Sequence, residues 1–151
     1  MLSGHEHILH IPNYHVAATF SRKQRRGGAC ILVKNKTPYK EIKFPAQVSV
    51  TNIIECCAID LINHDTIILC IYRVPCNRKR ELDTFYETLD TIMYNLLKNT
   101  KKGLVMCGDF NIDMLKNDKT SLDLENFLAQ YYLKLQIKEC KRPQSGSCID
   151  N

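Results

Sequence analysis

Two wholly apolar runs with a long helical pattern between them set the strongest limit on the fold of this chain. The run Thr66–Tyr72 (TIILCIY) and the run around Leu104 (GLVMC) each have the length and composition of a buried strand. Between them, apolar side chains recur at three- and four-residue spacing from Leu82 to Leu97, as on one face of a helix. A strand, a helix and a second strand in this order predict helices packed against a sheet.

The other apolar segments extend this α/β pattern. Gly27–Asn35 (GGACILVKN) predicts a strand, and Gln47–Ile62 changes from alternating to wholly apolar, as a strand does when it becomes buried. The turn-like NHD that follows predicts a hairpin with the next strand. We expect Gly103 to end the first helix, and Thr120 or Ser121 to cap a second one.

Length and composition favour one soluble domain. The chain has 151 residues, of which 44% are hydrophobic and 25% charged, and this length is enough to bury one core. No apolar run approaches the roughly 20 residues that span a bilayer, and no signal peptide is recognisable, so we expect no membrane association and a nuclear or cytoplasmic location. The eight cysteines form no C-x-x-C pair, and we expect reduced, structural thiols.

Polar side chains end two of the predicted strands. Tyr72 closes one, and Asp109, Asn111 and Asp113 (GDFNID) follow the next at alternate positions. Asp and Asn are typical of turns, because their side chains hydrogen-bond to nearby backbone. Catalytic groups also lie where a strand opens into a loop. If the two strands are neighbours, Tyr72, Asp109 and Asn111 lie along one rim, where α/β ligand sites commonly form.

Basic residues flank this predicted rim, and the net charge is +5. One basic run precedes the glycine pair and consists of Arg22, Lys23, Arg25 and Arg26. Three interpretations of that run stay open: a solvated loop, a contact with the DNA backbone, or a nuclear-targeting patch. Arg73 follows Tyr72 directly, and we expect it to bind phosphate.

Histidines near the start of the chain do not predict a metal site. His5, His7, His10 and His15 have spacings that fit a loop and a strand edge better than a ligand set. Glu6 lies in the same loop and is a poor candidate for a metal ligand. No metal ligand is therefore assigned from the sequence.

Four motifs, in order, resemble the endonuclease/exonuclease/phosphatase superfamily. They are RRGGACILVKN, IYRVPCN, VMCGDFNID and SGSCIDN, and they span nearly the whole chain. The pattern is most similar to the endonuclease domains of non-LTR retrotransposons. This resemblance implies a four-layer α/β sandwich of two mixed β-sheets flanked by helices, and Mg²⁺-dependent hydrolysis of phosphate esters, here in DNA.

The resemblance also implies roles for individual residues. Asp109 would orient or deprotonate the attacking water, and Asn111 would hold the phosphate and the water. Tyr72 would donate a hydrogen bond to the phosphate, and Asp150 would orient a catalytic histidine. A carboxylate behind a histidine fixes its tautomer and stabilises the imidazolium.

The family pattern extends past both ends of residues 1–151. Its metal-binding glutamate would precede Met1, and its histidine motif would follow Asn151. We therefore expect an incomplete sandwich that lacks N- and C-terminal strands, no DNA cleavage by the chain alone, and possible self-association through an uncovered sheet. Two alternatives stay open: a non-catalytic retrotransposon remnant that binds nucleic acid, and a phosphatase of the same superfamily.

Overall fold

The computed structural model describes residues 11–21, 28–44, 53–75 and 78–137. Within these ranges the chain is mixed α/β, with a two-stranded sheet, a four-stranded sheet and two helices. The strands are β1 (Tyr14–Ser21), β2 (Gly28–Lys34), β3 (Tyr39–Ile42), β4 (Ile54–Leu61), β5 (Thr66–Arg73) and β6 (Gly103–Asp109). The helices are α1 (Lys79–Leu97) and α2 (Lys119–Gln130).

The larger sheet has the strand order β3-β4-β5-β6. Strands β4 and β5 are antiparallel and are joined by a short 3-10 turn at Ile62–His64, so the predicted hairpin is confirmed. Strands β5 and β6 are parallel, because α1 carries the chain back across the sheet between them. The smaller sheet consists of β1 and β2 in an antiparallel pair.

One face of the larger sheet packs against the helices. Ile67, Leu69 and Ile71 of β5 lie in one core with Phe85 and Leu89 of α1, and all of them are buried. Side chains of α2 close the same core. The apolar helical spacing predicted from Leu82 to Leu97 is thus confirmed as the face that covers the sheet.

The opposite face of the larger sheet packs against the smaller sheet. Cys57 and Ile59 of β4 form a second buried cluster with Ala18 of β1 and with Ile31 and Val33 of β2. The described residues therefore form three layers: the smaller sheet, the larger sheet and the helices. Neither α1 nor α2 is long and apolar enough to cross a membrane.

Two predicted boundaries were wrong. Gly103 does not end α1 but begins β6, since the helix stops at Leu97, and Lys102 forms an ion pair with Asp60 at 2.6 Å. Helix α2 starts earlier than predicted, because its cap is Asp118. The Asp118 carboxylate accepts hydrogen bonds from the backbone N–H groups of Thr120 and Ser121, at 2.9 and 3.1 Å.

Two further differences concern strands. The short edge strand β3 was not predicted, because its four residues, YKEI, show no continuous apolar pattern. The predicted strand Gln47–Ile62 corresponds to β4 over Ile54–Leu61, and residues 45–52 lie outside the described ranges.

Candidate functional site

The predicted polar rim begins where β5 and β6 end. Tyr72 and Asp109 are Cα partners in the parallel ladder, so their side chains project from the same face of the sheet. Adjacent strands lie about 4.8 Å apart, which brings the phenol and the carboxylate within reach of one small group. The two strands are therefore neighbours, which is the condition for the predicted rim.

A third polar residue, Glu55, extends this row onto β4. Glu55 is the Cα partner of Tyr72 in the antiparallel ladder, and it is 0% exposed. Glu55, Tyr72 and Asp109 thus form one row across three strands, on the face that turns toward the smaller sheet. We did not select Glu55 from the sequence. The available signal was a charged residue inside the apolar run IIECCAI, since glutamate is almost never fully buried without a partner.

Gly108 allows β6 to approach β5 closely just before the rim. Its φ is 136°, a backbone conformation that residues with a Cβ atom rarely adopt. A Cβ atom at this position would lie 1.8 Å from the carbonyl oxygen of Ile71. The glycine therefore permits the backbone path that places Asp109 next to Tyr72.

A tight turn follows Asp109. The backbone N–H of Asn111 donates to Oδ1 of Asp109 at 2.8 Å, and Asn111 has a positive φ of 49°. Asp113 repeats the motif, since its Oδ1 accepts from the backbone N–H of Leu115 at 3.2 Å. The turn interpretation is confirmed for Asp109 and Asp113. Their catalytic interpretation stays a prediction.

Arg73 fastens this turn to the end of β5. Its side chain donates from Nε to the carbonyl oxygen of Phe110 at 2.6 Å and from Nη2 to that of Asn111 at 2.8 Å. The residue is only 4% exposed, and its guanidinium carbon lies 5.7 Å from the centre of the Phe85 ring. Burial lowers the pKa of Arg73, whereas Tyr86 and Asp109 raise it.

The alternation of β5 separates Arg73 from Tyr72. Neighbouring residues of a strand point to opposite faces, so Tyr72 points toward the smaller sheet and Arg73 toward the helices. On the helical side, Arg73 and Asn111 line a polar cleft of about 360 Å³. The cleft also contains Lys79 and Lys116, together with the carboxylates of Asp113 and Asp118. Its cationic groups suit an anion such as phosphate.

A larger cleft, of about 570 Å³, is mainly apolar. It lies between β6 and residues 132–137, and its walls include Leu104, Met106 and Leu135. No carboxylate or histidine of the described residues lines it, and its polar side chains are those of Cys107, Tyr132, Lys134 and Gln136. We therefore place the candidate chemistry at the rim and in the polar cleft.

Several predicted site residues lie outside the described ranges. They are Arg22, Lys23, Arg25, Arg26 and Asp150. Glu6, His5, His7 and His10, which were not selected as metal ligands, also lie outside these ranges. His15 is described. Its Nδ1 lies 3.2 Å from Oδ1 of Asn35, and its Nε2 lies 3.1 Å from the Tyr39 hydroxyl. In the part of the chain that the structure describes, no three His, Cys, Asp or Glu side chains are arranged to hold a metal ion.

No protein-family model matches this chain, and no curated protein matches its sequence. The motifs and the geometry of the rim are therefore the observations that bear on function.

Proposed function

We propose that this chain forms part of a Mg²⁺-dependent DNA endonuclease domain of the endonuclease/exonuclease/phosphatase superfamily. The observation that carries the proposal is the pairing of Tyr72 with Asp109 at the ends of neighbouring parallel strands. Asn111 follows in a turn that is hydrogen-bonded to both strand ends. The three described layers are consistent with the proposed four-layer sandwich, in which further helices would cover the smaller sheet.

In this proposal, each polar group of the rim has a separate task in phosphodiester hydrolysis. Asp109 accepts a proton from the attacking water, a contribution of about 10²–10⁴ in rate. Tyr72 donates a hydrogen bond to a phosphate oxygen on which negative charge develops. The Asn111 amide already donates to the carbonyl oxygen of Arg73 at 2.6 Å, and its second N–H can donate to the phosphate.

Mg²⁺ belongs to the proposal through the resemblance alone. The carboxylates of the described residues do not meet in a group of three that could hold the ion. We therefore derive no catalytic step through the metal. The proposed role of Asp150 concerns a residue outside the described ranges.

A plasmid-nicking assay with Mg²⁺ tests the proposal. The chain is compared with a version extended at both ends by its flanking reading frame, each as wild type, Asp109→Ala and Asp109→Asn. We expect nicking by the extended protein and none by the chain alone. Both Asp109 variants should abolish nicking by the extended protein. The asparagine variant keeps an Oδ1 acceptor for the turn, whereas the alanine variant does not. Equal nicking by the extended wild type and its Asp109→Asn variant would contradict the proposal.

A second candidate function is nucleic-acid binding without cleavage. It is favoured by the basic run from Arg22 to Arg26 and by the net charge of +5. Salt-dependent DNA binding by an extended protein that never nicks would favour this second function.

A further inference from the structure

Asn111 has a strained backbone conformation where the rim ends. Its φ of 49° lies in the left-handed region, which residues other than glycine rarely adopt. Asparagine tolerates this region better than most residues, but the conformation persists only where neighbouring groups hold it. Strained residues of this kind cluster at active sites. The groups that hold Asn111 can therefore influence a reaction at the rim.

Arg73 takes part in two of the hydrogen bonds that hold Asn111. Its Nη2 donates to the Asn111 carbonyl oxygen at 2.8 Å, and its own carbonyl oxygen accepts from the Asn111 side-chain amide at 2.6 Å. A further bond runs from the Asn111 backbone N–H to Oδ1 of Asp109 at 2.8 Å. Because an amide group is planar and has two N–H donors, the bond to Arg73 also sets the direction of the second N–H. Arg73 thus fixes both the backbone and the amide plane of Asn111.

The Arg73 guanidinium is itself rigidly placed. Its Nε donates to the carbonyl oxygen of Phe110 at 2.6 Å, and its central carbon lies 5.7 Å from the centre of the Phe85 ring. The planar fork of arginine is preorganised, so each hydrogen bond costs little side-chain freedom. Arg73 forms part of the wall of the polar cleft, but it is only 4% exposed. This burial leaves little of the side chain for a contact with DNA.

We propose that Arg73 is a positioning residue of the rim: it holds the Asn111 amide toward the scissile phosphate and does not contact the phosphate itself. The inference rests on the proposed function, in which the second N–H of Asn111 donates to that phosphate. A displacement of about 1 Å at a reacting group can lower a rate by about 10². Loss of the Arg73 fork should therefore slow hydrolysis and leave the affinity for DNA nearly unchanged.

A double-mutant cycle in the extended protein tests whether Arg73 acts through Asn111. It combines Arg73→Lys, which keeps the charge but lacks the fork, with Asn111→Gly, which adopts a positive φ without strain but has no amide. Nicking rates are divided by the folded fraction from circular dichroism, because Arg73→Lys also destabilises the fold. Arg80→Lys is the control for the same chemical change, since Arg80 is exposed on α1.

The expected losses separate positioning from binding. Arg73→Lys should lower kcat about 30-fold or more and change KM by less than about threefold. In the Asn111→Gly background, the same substitution should lower kcat by less than about threefold, because the group that it positions is already absent. Arg80→Lys should match the wild type. Arg73→Gln should keep the log-log salt slope of DNA binding, whereas loss of a phosphate contact would reduce that slope by about 0.9.

A measurement without cleavage uses the whole chain. The backbone carbon chemical shifts of Asn111 report its φ, and Arg73→Lys should move them toward values typical of a negative φ. Unchanged Asn111 shifts in Arg73→Lys would overturn the inference.

Two results of the cycle would also overturn it: rate losses that multiply in the double variant, or a salt slope that falls in Arg73→Gln. Both describe an arginine that meets the phosphate by itself. An extended wild type that nicks no faster than Arg73→Lys would overturn this inference alone. An extended wild type that never nicks would overturn the proposed function, and this inference with it.

Discussion

Asn111 and Arg73 hold each other through reciprocal hydrogen bonds. The Asn111 side-chain amide donates to the carbonyl oxygen of Arg73 at 2.6 Å, and the Arg73 guanidinium donates to the carbonyl oxygen of Asn111 at 2.8 Å. The two residues therefore lock the turn after β6 to the end of β5. This contact fixes the distance between the two strand ends that carry Tyr72 and Asp109.

Replacing Arg73 by lysine should destabilise the fold by about 2–4 kcal/mol, because lysine keeps the charge but lacks the planar fork whose Nε and Nη2 reach the two carbonyl oxygens. The carbonyl oxygens of Phe110 and Asn111 would each lose a donor. Urea denaturation measures the loss. Arg78→Lys is the control, since the Arg78 side chain is 83% exposed, and it should change stability by less than about 0.5 kcal/mol. Equal effects of the two substitutions would contradict the role of Arg73.

Replacing Gly108 by alanine should prevent normal folding or destabilise the protein by more than about 4 kcal/mol. The new Cβ would lie 1.8 Å from the Ile71 carbonyl oxygen, so β6 would have to move away from β5. Gly103→Ala is the matched control in the same strand, where the nearest atom is Oγ1 of Thr66 at 3.8 Å. Circular dichroism and thermal melting compare the two. A Gly108→Ala protein as stable as the Gly103→Ala control would show that the close strand contact is wrong.

Replacing Tyr86 by phenylalanine should leave the protein as stable or more stable at neutral pH. The Tyr86 hydroxyl is buried and has no hydrogen-bond partner among the described residues, so its removal loses little. Burial, then Asp123, raises the pKa of Tyr86 from 10 to about 12, although Arg73 opposes the rise. The folded state thus favours the protonated phenol, and this contribution to stability is complete below pH 10 and is lost as the pH rises through about 12.

Denaturation between pH 9 and pH 12 checks this expectation for Tyr86. The wild type should lose stability more steeply than Tyr86→Phe across that window. Tyr94→Phe is the control, because Tyr94 is 63% exposed on the same helix. If wild type and Tyr86→Phe lose stability in parallel, the phenol of Tyr86 ionises equally in the folded and unfolded states.

DNA binding should weaken with salt, with a log-log slope near −0.9 for each phosphate contacted. Neutralising Arg22, Lys23, Arg25 and Arg26 should flatten that slope if the run meets the DNA backbone. A matched variant neutralises four exposed lysines elsewhere: Lys34, Lys40, Lys98 and Lys101. Fluorescence anisotropy at several salt concentrations measures both slopes. An unchanged slope in the first variant would indicate that the basic run is a solvated loop that does not contact DNA.

Local pattern predicted the elements better than their boundaries. The hairpin was predicted from its apolar runs and α1 from its helical spacing. Each of these patterns lies within one continuous segment of the sequence. The cap of α2 was missed because Asp118 lies outside the apolar pattern and is identified only by its hydrogen bonds to Thr120 and Ser121. Boundaries depend on such individual contacts, which a periodic pattern does not record.

The site could be predicted only in part, because its residues meet through strand register. Tyr72 and Asp109 were selected at strand ends, and the parallel ladder places them side by side. The place of Glu55 in the same row as Tyr72 and Asp109 follows only from the register of β4, β5 and β6. Arg73 was expected at phosphate. The structure shows two nitrogens of Arg73 donating to backbone carbonyl oxygens. The sequence does not reveal these bonds, because the turn that accepts them lies far along the chain.

The crossover between β5 and β6 also determines when the rim can form. Parallel neighbours cannot pair through a short turn, so the chain must cross back over the sheet through α1 before Tyr72 can meet Asp109. Contacts between distant parts of a chain form slowly, because the entropy of closing the loop is lost before they form. The β4–β5 hairpin can therefore assemble first, with Glu55 beside Tyr72, while Asp109 joins the row last. During synthesis, this row would stay incomplete until residues beyond Asp109 had left the ribosome.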